Sequence, residues 1–496
     1  MTEHEFNLAL LVGAVVLLLA VATLRLSVRT GLPSLLLYVA LGILVGEDAL
    51  GIHFDDPELT QLLGYAALVI ILAEGGLTTS WSAVRGSVPV AASLSTIGVG
   101  ISLLVTAAAA APLLGLDARN ALLLGAILAS TDAAAVFSVL RRVPLPRSLS
   151  GALEAESGFN DAPVVIVVVT LAEHGLGRSD IWGLPLLLAY ELTAGALLGV
   201  GAGLLGTFVL RRAALPSAGV FPLAIVAFTV AAYGAAATAH ASGFLAVYVC
   251  GLVLGNAGLP HRPATRGFAE GLAWLAQIGL FVMLGLQVDP SDLPSVLWQG
   301  LVLSLVLLLI ARPLSVLVAV APFRLPWQHA AFLSWAGLRG AVPIVLATVP
   351  AVHHLPGASR VYNVVLVIVV VLTLVQGPTL PWIARKLRLA DPIAAREVFL
   401  EASPLGRLGA DLLEVHVPPG SRLQGVELWE LRLPRDAAVA LIVREGRAAV
   451  PSPNTILRAG DEVLLVVTPE ARDFTERRFK AVSRAGRLAR WGDPTG

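Results

Sequence analysis

The sequence predicts an all-α polytopic membrane protein of about thirteen spanning helices, with inverted repeats and two discontinuous helices, followed by a small cytoplasmic α+β domain. Three observations predict it. Hydrophobic residues make up 56% of the chain and charged residues 14%, against about 25% charged in a soluble domain. The mean hydropathy is +0.82. Apolar stretches of spanning length recur up to about residue 384 and then stop.

The stretches lie near 7–24, 32–46, 61–78, 87–112, 120–140, 152–172, 184–210, 220–238, 242–257, 268–288, 294–321, 328–350 and 361–384. The first follows an acidic start, Glu3 and Glu5, and lacks the basic leader of a signal peptide, so it reads as a first transmembrane helix. Loop charges test the count. Alternate loops are basic: Arg25 and Arg29; Arg85; Arg141, Arg142 and Arg147; Arg211 and Arg212; Arg262 and Arg266; Arg324; Arg385, Lys386 and Arg388. The intervening loops are mainly acidic: Glu47, Asp48, Asp55, Asp56 and Glu58; Asp117; Glu173 and Asp180; Asp289 and Asp292. Arg119, Arg178 and Arg360 break the alternation. Basic loops are cytoplasmic, so the N-terminus is expected outside and the C-terminus inside, which requires an odd number of spans.

Residues 1–388 therefore read as the membrane domain, 389–404, with Pro392 and Pro404, as a linker, and 405–490 as the cytoplasmic domain. In the tail, 412–417, 438–443 and 460–467 read as strands and 469–479 as a charged helix. The formal net charge is zero, which gives no electrostatic case for nucleic acid. The single cysteine, Cys250, sits in an apolar run and reads as a small buried hydrophobe. No cofactor motif and no resident metal site is expected.

An ionisable side chain inside a span costs a few kcal/mol and is a functional candidate by default. Six stand out: Glu74, Asp132, Glu156, Asp161, Arg312 and Arg339. Asp161 opens the apolar run of ESGFNDAPVVIVVVT, 156–170. Desolvation there disfavours its charged form, so it can hold a proton or a cation in turn. As a bland alternative, Asn160 or Asp161 caps a helix at the membrane surface. Ser130, Thr131 and Asp132 interrupt the span 121–140, and Gly337, Arg339, Gly340 and Pro343 interrupt a second at 335–347. Paired broken helices in the two halves of a transporter point to the ion site at their crossing.

A buried arginine needs a buried anion or helix C-terminal ends. Glu156 lies about 1.4 helical turns before Asp161 and faces elsewhere. Glu156 is therefore expected to pair with Arg339, leaving Asp161 for the ion. Glu74 is expected to tune the site or hold a water, or else to tie helices together. Arg312, before Pro313, reads as structural.

These segments resemble the monovalent cation:proton antiporter superfamily, in its NhaP-like branch. The residues that carry the resemblance are Thr131-Asp132, Glu156-Ser157-Gly158-Phe159-Asn160-Asp161 and Gly337-Leu338-Arg339-Gly340-Ala341, and it covers essentially all of 1–385. The resemblance implies that Asp161 binds the ion and the proton. Asn160, Asp132, Thr131 and Ser157 would build the site, and Glu156 with Arg339 would form an interlocking ion pair. It also implies a homodimer with a mobile six-helix core, multi-pass in a bacterial plasma membrane.

The tail resembles the TrkA-C domain of potassium-conductance regulators, through 413–431 and 455–467. A core and tail of this kind resemble the bacterial potassium/proton antiporter subgroup that regulates cell volume. A small cytoplasmic ligand, such as a nucleotide, is expected on the tail, although no Gly-rich dinucleotide fingerprint precedes it. A sodium/proton antiporter is the alternative, since oxygen ligands suit both ions. A tail-gated channel would need a pore loop of backbone carbonyls, which the sequence lacks. An enzyme would need a nucleophile–base pair or metal cluster, and His240, His353 and His354 fall at expected loop ends instead. Exchange is expected to be electroneutral: Asn160 cannot titrate, Glu156 is committed to a pair, and Asp132 is expected to stay ionised by accepting backbone hydrogen bonds.

Overall fold

The computed structural model describes residues 3–30, 33–46, 56–140, 145–175, 178–212, 219–389, 399–404 and 410–486. Eight helices among them are long and apolar enough to cross a membrane, and five shorter apolar helices accompany them. Each expected span coincides with one of these. They run α1 (Glu3–Thr30), α2 (Ser34–Val45), α3 (Pro57–Thr78), α4 (Val88–Leu114), α5a (Ala118–Ile127) with α5b (Ala133–Leu140), and α6 (Arg147–His174). The second half runs α7 (Arg178–Arg212), α8 (Val220–Thr238), α9 (Gly243–Asn256), α10 (Arg262–Leu286), α11 (Leu293–Phe323), α12a (Trp327–Trp335) with α12b (Ala341–Val352), and α13 (Ala358–Lys386). The loop charges Glu47, Asp48, Asp55, Arg141 and Arg142 lie outside the described residues.

Local chemistry sets the helix starts. Asp56 accepts from the Leu59 amide at 2.9 Å, with Pro57 in the first turn of α3. Asp117 opens α5a by accepting from the Arg119 amide, and Ser242 opens α9 by accepting from the Leu245 amide. Two arginines that break the charge alternation close helices. Arg119 donates to the carbonyls of Leu171 and Ala172 at the end of α6, and Arg360 donates to Leu114 O at the end of α4. A cation at these carbonyls favours the negative end of the helix dipole.

The helices pack in two groups. One contains α1–α3 and α7–α10; the other, of six, contains α4–α6 and α11–α13. Within the six, α4 and α11 each carry a π turn, at Leu94–Gly98 and Leu307–Ala311. Each π turn packs against the other's helix, and each lies in the span before a broken helix. This reciprocal arrangement is the pattern of an inverted repeat.

The tail is a separate compact unit. Its sheet comprises β1 (Phe399–Pro404), β2 (Asp411–His416), β3 (Ala437–Arg444), β4 (Arg447–Ala449) and β5 (Glu462–Val467), in the order β1-β2-β5-β3-β4 and antiparallel throughout. Helix α14 (Pro469–Ala485) packs against β3 and β5. Leu413 and Val415 of β2 and Val463, Leu465 and Val467 of β5 alternate inward, onto Phe479 and Val482 of α14. One boundary differs from expectation. Residues 399–404, expected as linker, form the edge strand β1, pairing from Phe399 with His416 to Pro404 with Asp411. A proline lacks the amide of a ladder donor, and an edge strand tolerates it. The rest of the expected linker, 390–398, lies outside the described residues, as do 405–409 and 487–490 of the expected domain.

Candidate functional site

The two broken helices meet at their interruptions. The α5 chain leaves the helix at 128–132 and the α12 chain at 336–340. Both breaks carry residues that disfavour a helix: Ser, Thr and Asp, which compete for backbone hydrogen bonds, and Gly, which adds chain entropy. The Asp132 amide donates to Leu338 O at 2.8 Å, tying one break to the other. Asp132 Oδ1 accepts from the Ala135 amide at 3.3 Å, capping α5b. Gly340 permits this closeness, because a Cβ there would lie 2.1 Å from Asp132 Oδ2.

The structure redistributes the two buried arginines. Glu156 was expected to pair with Arg339; its ion-pair partner is Arg312. Arg312 Nη1 lies 2.6 Å from Glu156 Oε1, and Nη2 donates to Oε2 at 3.0 Å. Both side chains are buried, at 5% and 2% exposure. Arg339, 1% exposed, donates instead to the carbonyls of Ala129 and Ser130 at the break of α5. The physical reason is that a broken helix presents carbonyls without intrahelical donors, and a guanidinium with five N–H groups satisfies several at once. Arg312 directly follows the π turn of α11. Ser95, in the π turn of α4, donates to the Glu156 carbonyl at 3.2 Å. Both π turns thus converge on Glu156.

Asp161 faces a different space, as its offset from Glu156 predicts. A cavity of about 400 Å³ is lined by Asp161 and Ser157 of α6, by Thr131 and Asp132 at the first break, and by Glu74 of α3. Asn160 supports this wall: its Nδ2 donates to Thr131 Oγ1 at 2.6 Å, and Thr131 Oγ1 lies 3.5 Å from Glu156 Oε1. Asp161 is 7% exposed, and its Oδ1 has no hydrogen-bond partner among the described residues; nor do Asn160 Oδ1 and Ser130 Oγ. A buried acceptor normally finds a donor. Of these, Asp161 and Ser130 line the cavity, and oxygens left in this state there are what a small cation would engage. Gly158, also in the wall, makes room for Tyr248 of α9; a Cβ on it would lie 2.3 Å from the ring.

Thus Asp161, Asp132, Thr131, Ser157 and Glu74 line one cavity, Asn160 stands behind it, and Glu156 and Arg339 do not line it. Glu154, Tyr248 and Gln277 also line it and were not among the expected residues. Glu154 had a readable signal: 154, 157 and 161 fall on one helix face.

The profile of the family described as sodium/hydrogen exchanger, transmembrane, matches residues 15–386, and that of the TrkA-C domain matches 412–480. A relative from Alkalimonas amylolytica, named K(+)/H(+) antiporter NhaP, is 37% identical over 93% of this chain and 82% of its own length. Another from Shewanella oneidensis, named K(+)/H(+) antiporter NhaP2, is 34% identical over 99% of this chain and 86% of its own. Among solved structures, the sodium proton antiporter MjNhaP1 from Methanocaldococcus jannaschii superposes with a TM-score of 0.67 at 20% identity, over 78% of this chain and 100% of that one; this likeness speaks to the fold. A helical bundle crossed by two broken helices, a buried carboxyl at their crossing and these matches agree: the chain belongs to the sodium/hydrogen exchanger family, and it is a multi-pass cation/proton antiporter with a C-terminal TrkA-C domain.

Proposed function

We propose that the chain exchanges potassium for protons one for one, with Asp161 holding each in turn. The observation that carries this reading is the buried Asp161 Oδ1 on the wall of the cavity, which has no donor among the described residues. A proton or a desolvated cation supplies what it lacks, and the two compete for one carboxyl. Thr131, Ser157 and Asp132 add oxygens around the cation, and Asn160 fixes Thr131. Asp132 spends one oxygen on the Ala135 amide and in this reading takes no part in proton exchange. One titrating group then moves no net charge.

The potassium preference rests on the full-length relatives named for that ion. A relative from Aphanothece halophytica, named Na(+)/H(+) antiporter ApNhaP, is 29% identical over 79% of this chain, and sodium is the second reading. The test is cation-dependent proton flux in proteoliposomes, with potassium and sodium compared under an imposed, clamped potential. Potassium-driven flux that ignores voltage is the expected result; each charge moved would couple about 2.3 kcal/mol per 100 mV. Asp161→Asn should insert normally and lose exchange. Near-normal flux from it would remove Asp161 from the mechanism.

The charge alternation supports an outside N-terminus and a cytoplasmic tail in a bacterial plasma membrane, since Arg119 and Arg360 are accounted for as helix caps. The exposed apolar side chains of α1, among them Leu11, Leu18 and Val21, suit lipid and a second copy of the chain alike, and the homodimer reading rests on the family resemblance. The tail regulates exchange by binding a small cytoplasmic ligand such as a nucleotide, a role supported by its independent core. Cutting after Arg388 should leave a folded, transporting membrane domain with an altered response to pH or ligand. Complete loss of flux from a well-folded truncation would contradict that role.

A further inference from the structure

A second cavity, of about 580 Å³, lies on another side of α6. Phe159 and Pro163 of α6, Ala92 of α4, Ala196 and Val200 of α7 and Leu252 of α9 are among its walls. It therefore lies where the six-helix group meets the other group. Its serine, threonine and asparagine side chains are already engaged. Ser95 donates to Glu156 O and Thr96 to Ala92 O. Asn256 donates to the carbonyls of Thr79 and Leu252 and accepts from the Trp81 amide. Water needs two to four polar partners to settle in a cavity, and these walls offer it almost none.

The cavity is continuous with the outer apolar surface of the helices. Its wall residues Trp81 and Val200 are exposed, and Leu197 and Leu204 are exposed along the same helix as Val200. In a multi-pass membrane protein, the medium at such a surface is hydrocarbon. We propose that this cavity is a binding site for one acyl chain of a membrane phospholipid, and that its occupancy sets the rate of exchange.

The second half follows from how α6 is shared. Ser157, Gly158 and Asp161 face the cation cavity; Phe159 and Pro163 face the apolar one. The Phe159 ring meets the Tyr248 ring edge-on, with centroids 5.8 Å apart and planes at 83°. Tyr248 in turn lines the cation cavity beside Gly158. An acyl chain against Phe159 therefore bears on Tyr248 through a single close-packed contact, and close-packed interiors transmit small shifts. Any relative movement of the two helix groups must also slide along this chain.

The experiment uses the full chain in proteoliposomes that contain a phospholipid with a photoreactive diazirine in its acyl chain. Labelled positions are mapped by peptide mass spectrometry, and cation-driven proton flux is measured in parallel. Labelling of Phe159 or Pro163, the latter buried inside the bundle, is expected in the wild type and requires no variant. Ala196→Phe, and separately Ala92→Leu, fill part of the cavity. Displacing about two methylenes weakens acyl binding about tenfold, so labelling of α6 should fall by that order while Leu197 and Leu204 remain labelled. Flux should change with it in both variants. Labelling confined to Leu197, Leu204 and other exposed positions would overturn the site, as would α6 labelling that neither filling reduces. Loss of α6 labelling with unchanged flux would overturn control of the rate. Labelling does not depend on which cation is carried or on Asp161, so failure here is distinguishable from failure of the exchange mechanism.

Discussion

Removing either member of the Glu156–Arg312 pair leaves a charge buried at 5% exposure or less, with two contacts of 2.6 and 3.0 Å lost. Breaking a buried pair in this way costs about 3–5 kcal/mol, whereas replacing both members by apolar residues of similar volume is often nearly neutral. Glu156→Leu and Arg312→Met should therefore each be strongly destabilising, and the double variant should be more stable than either. Contacting pairs couple by about 0.5–3 kcal/mol, and this bidentate pair belongs at the upper end. The assay is the unfolding transition in detergent for the four members of the cycle, beside a second cycle of Glu156→Leu with Arg339→Met. Arg339 donates to carbonyls of Ala129 and Ser130, so the second coupling should be the smaller. Destabilisations that simply add in the first cycle, or a stronger coupling to Arg339, would refute the assignment.

Two further outcomes follow from the geometry. Gly340→Ala places a methyl group 2.1 Å from Asp132 Oδ2, so the Asp132 side chain must turn aside or the two breaks must separate; a folded protein whose flux falls at least tenfold is expected, and wild-type flux would show that Asp132 tolerates displacement. In the tail, burial alone pushes Asp461 up, but hydrogen bonds from Arg444 and the Arg458 amide outweigh it and hold its carboxyl below the usual range. A depressed folded-state value adds stability above the unfolded value of about 4, and that stability is lost as pH falls through the folded value. Protection of β2 and β5 amides, taken relative to the intrinsic exchange rate at each pH, should therefore fall on acidification below about pH 4, and Asp461→Asn should remove that part of the dependence and weaken protection at neutral pH; an unchanged profile in the variant would place the acid sensitivity elsewhere.

The spans were legible because hydropathy and length are summed over some twenty residues, and no single contact can reverse them. The breaks were legible because Ser130-Thr131-Asp132 and Gly337 to Pro343 disrupt an apolar helix by their own chemistry. The partner of Glu156 was not. Arg312 and Arg339 both sit in apolar spans, far from Glu156 in sequence, and the choice between them depends on which carbonyls the break of α5 leaves without donors. Glu154 was readable from its spacing to Ser157 and Asp161, but it stands two residues before the segment 156–170 that drew attention to Asp161. Strand β1 was hidden because FLEASP has no clean alternation and ends in proline; its partner β2 supplies the order.

The π turn before Arg312 makes the position of that side chain a matter of counting. A π turn holds one more residue than an α turn, and each residue rotates a helix by about 100°. Wound as an ordinary helix, the same residues would carry Arg312 about a quarter-turn away from Glu156; the π turn absorbs the extra residue and keeps that side chain on its face. A scan of substitutions would read the buried Leu307, Leu308 and Ala311 as packing residues and would miss the role of the turn itself. What they supply to Glu156 is number, and only insertions and deletions can reveal it.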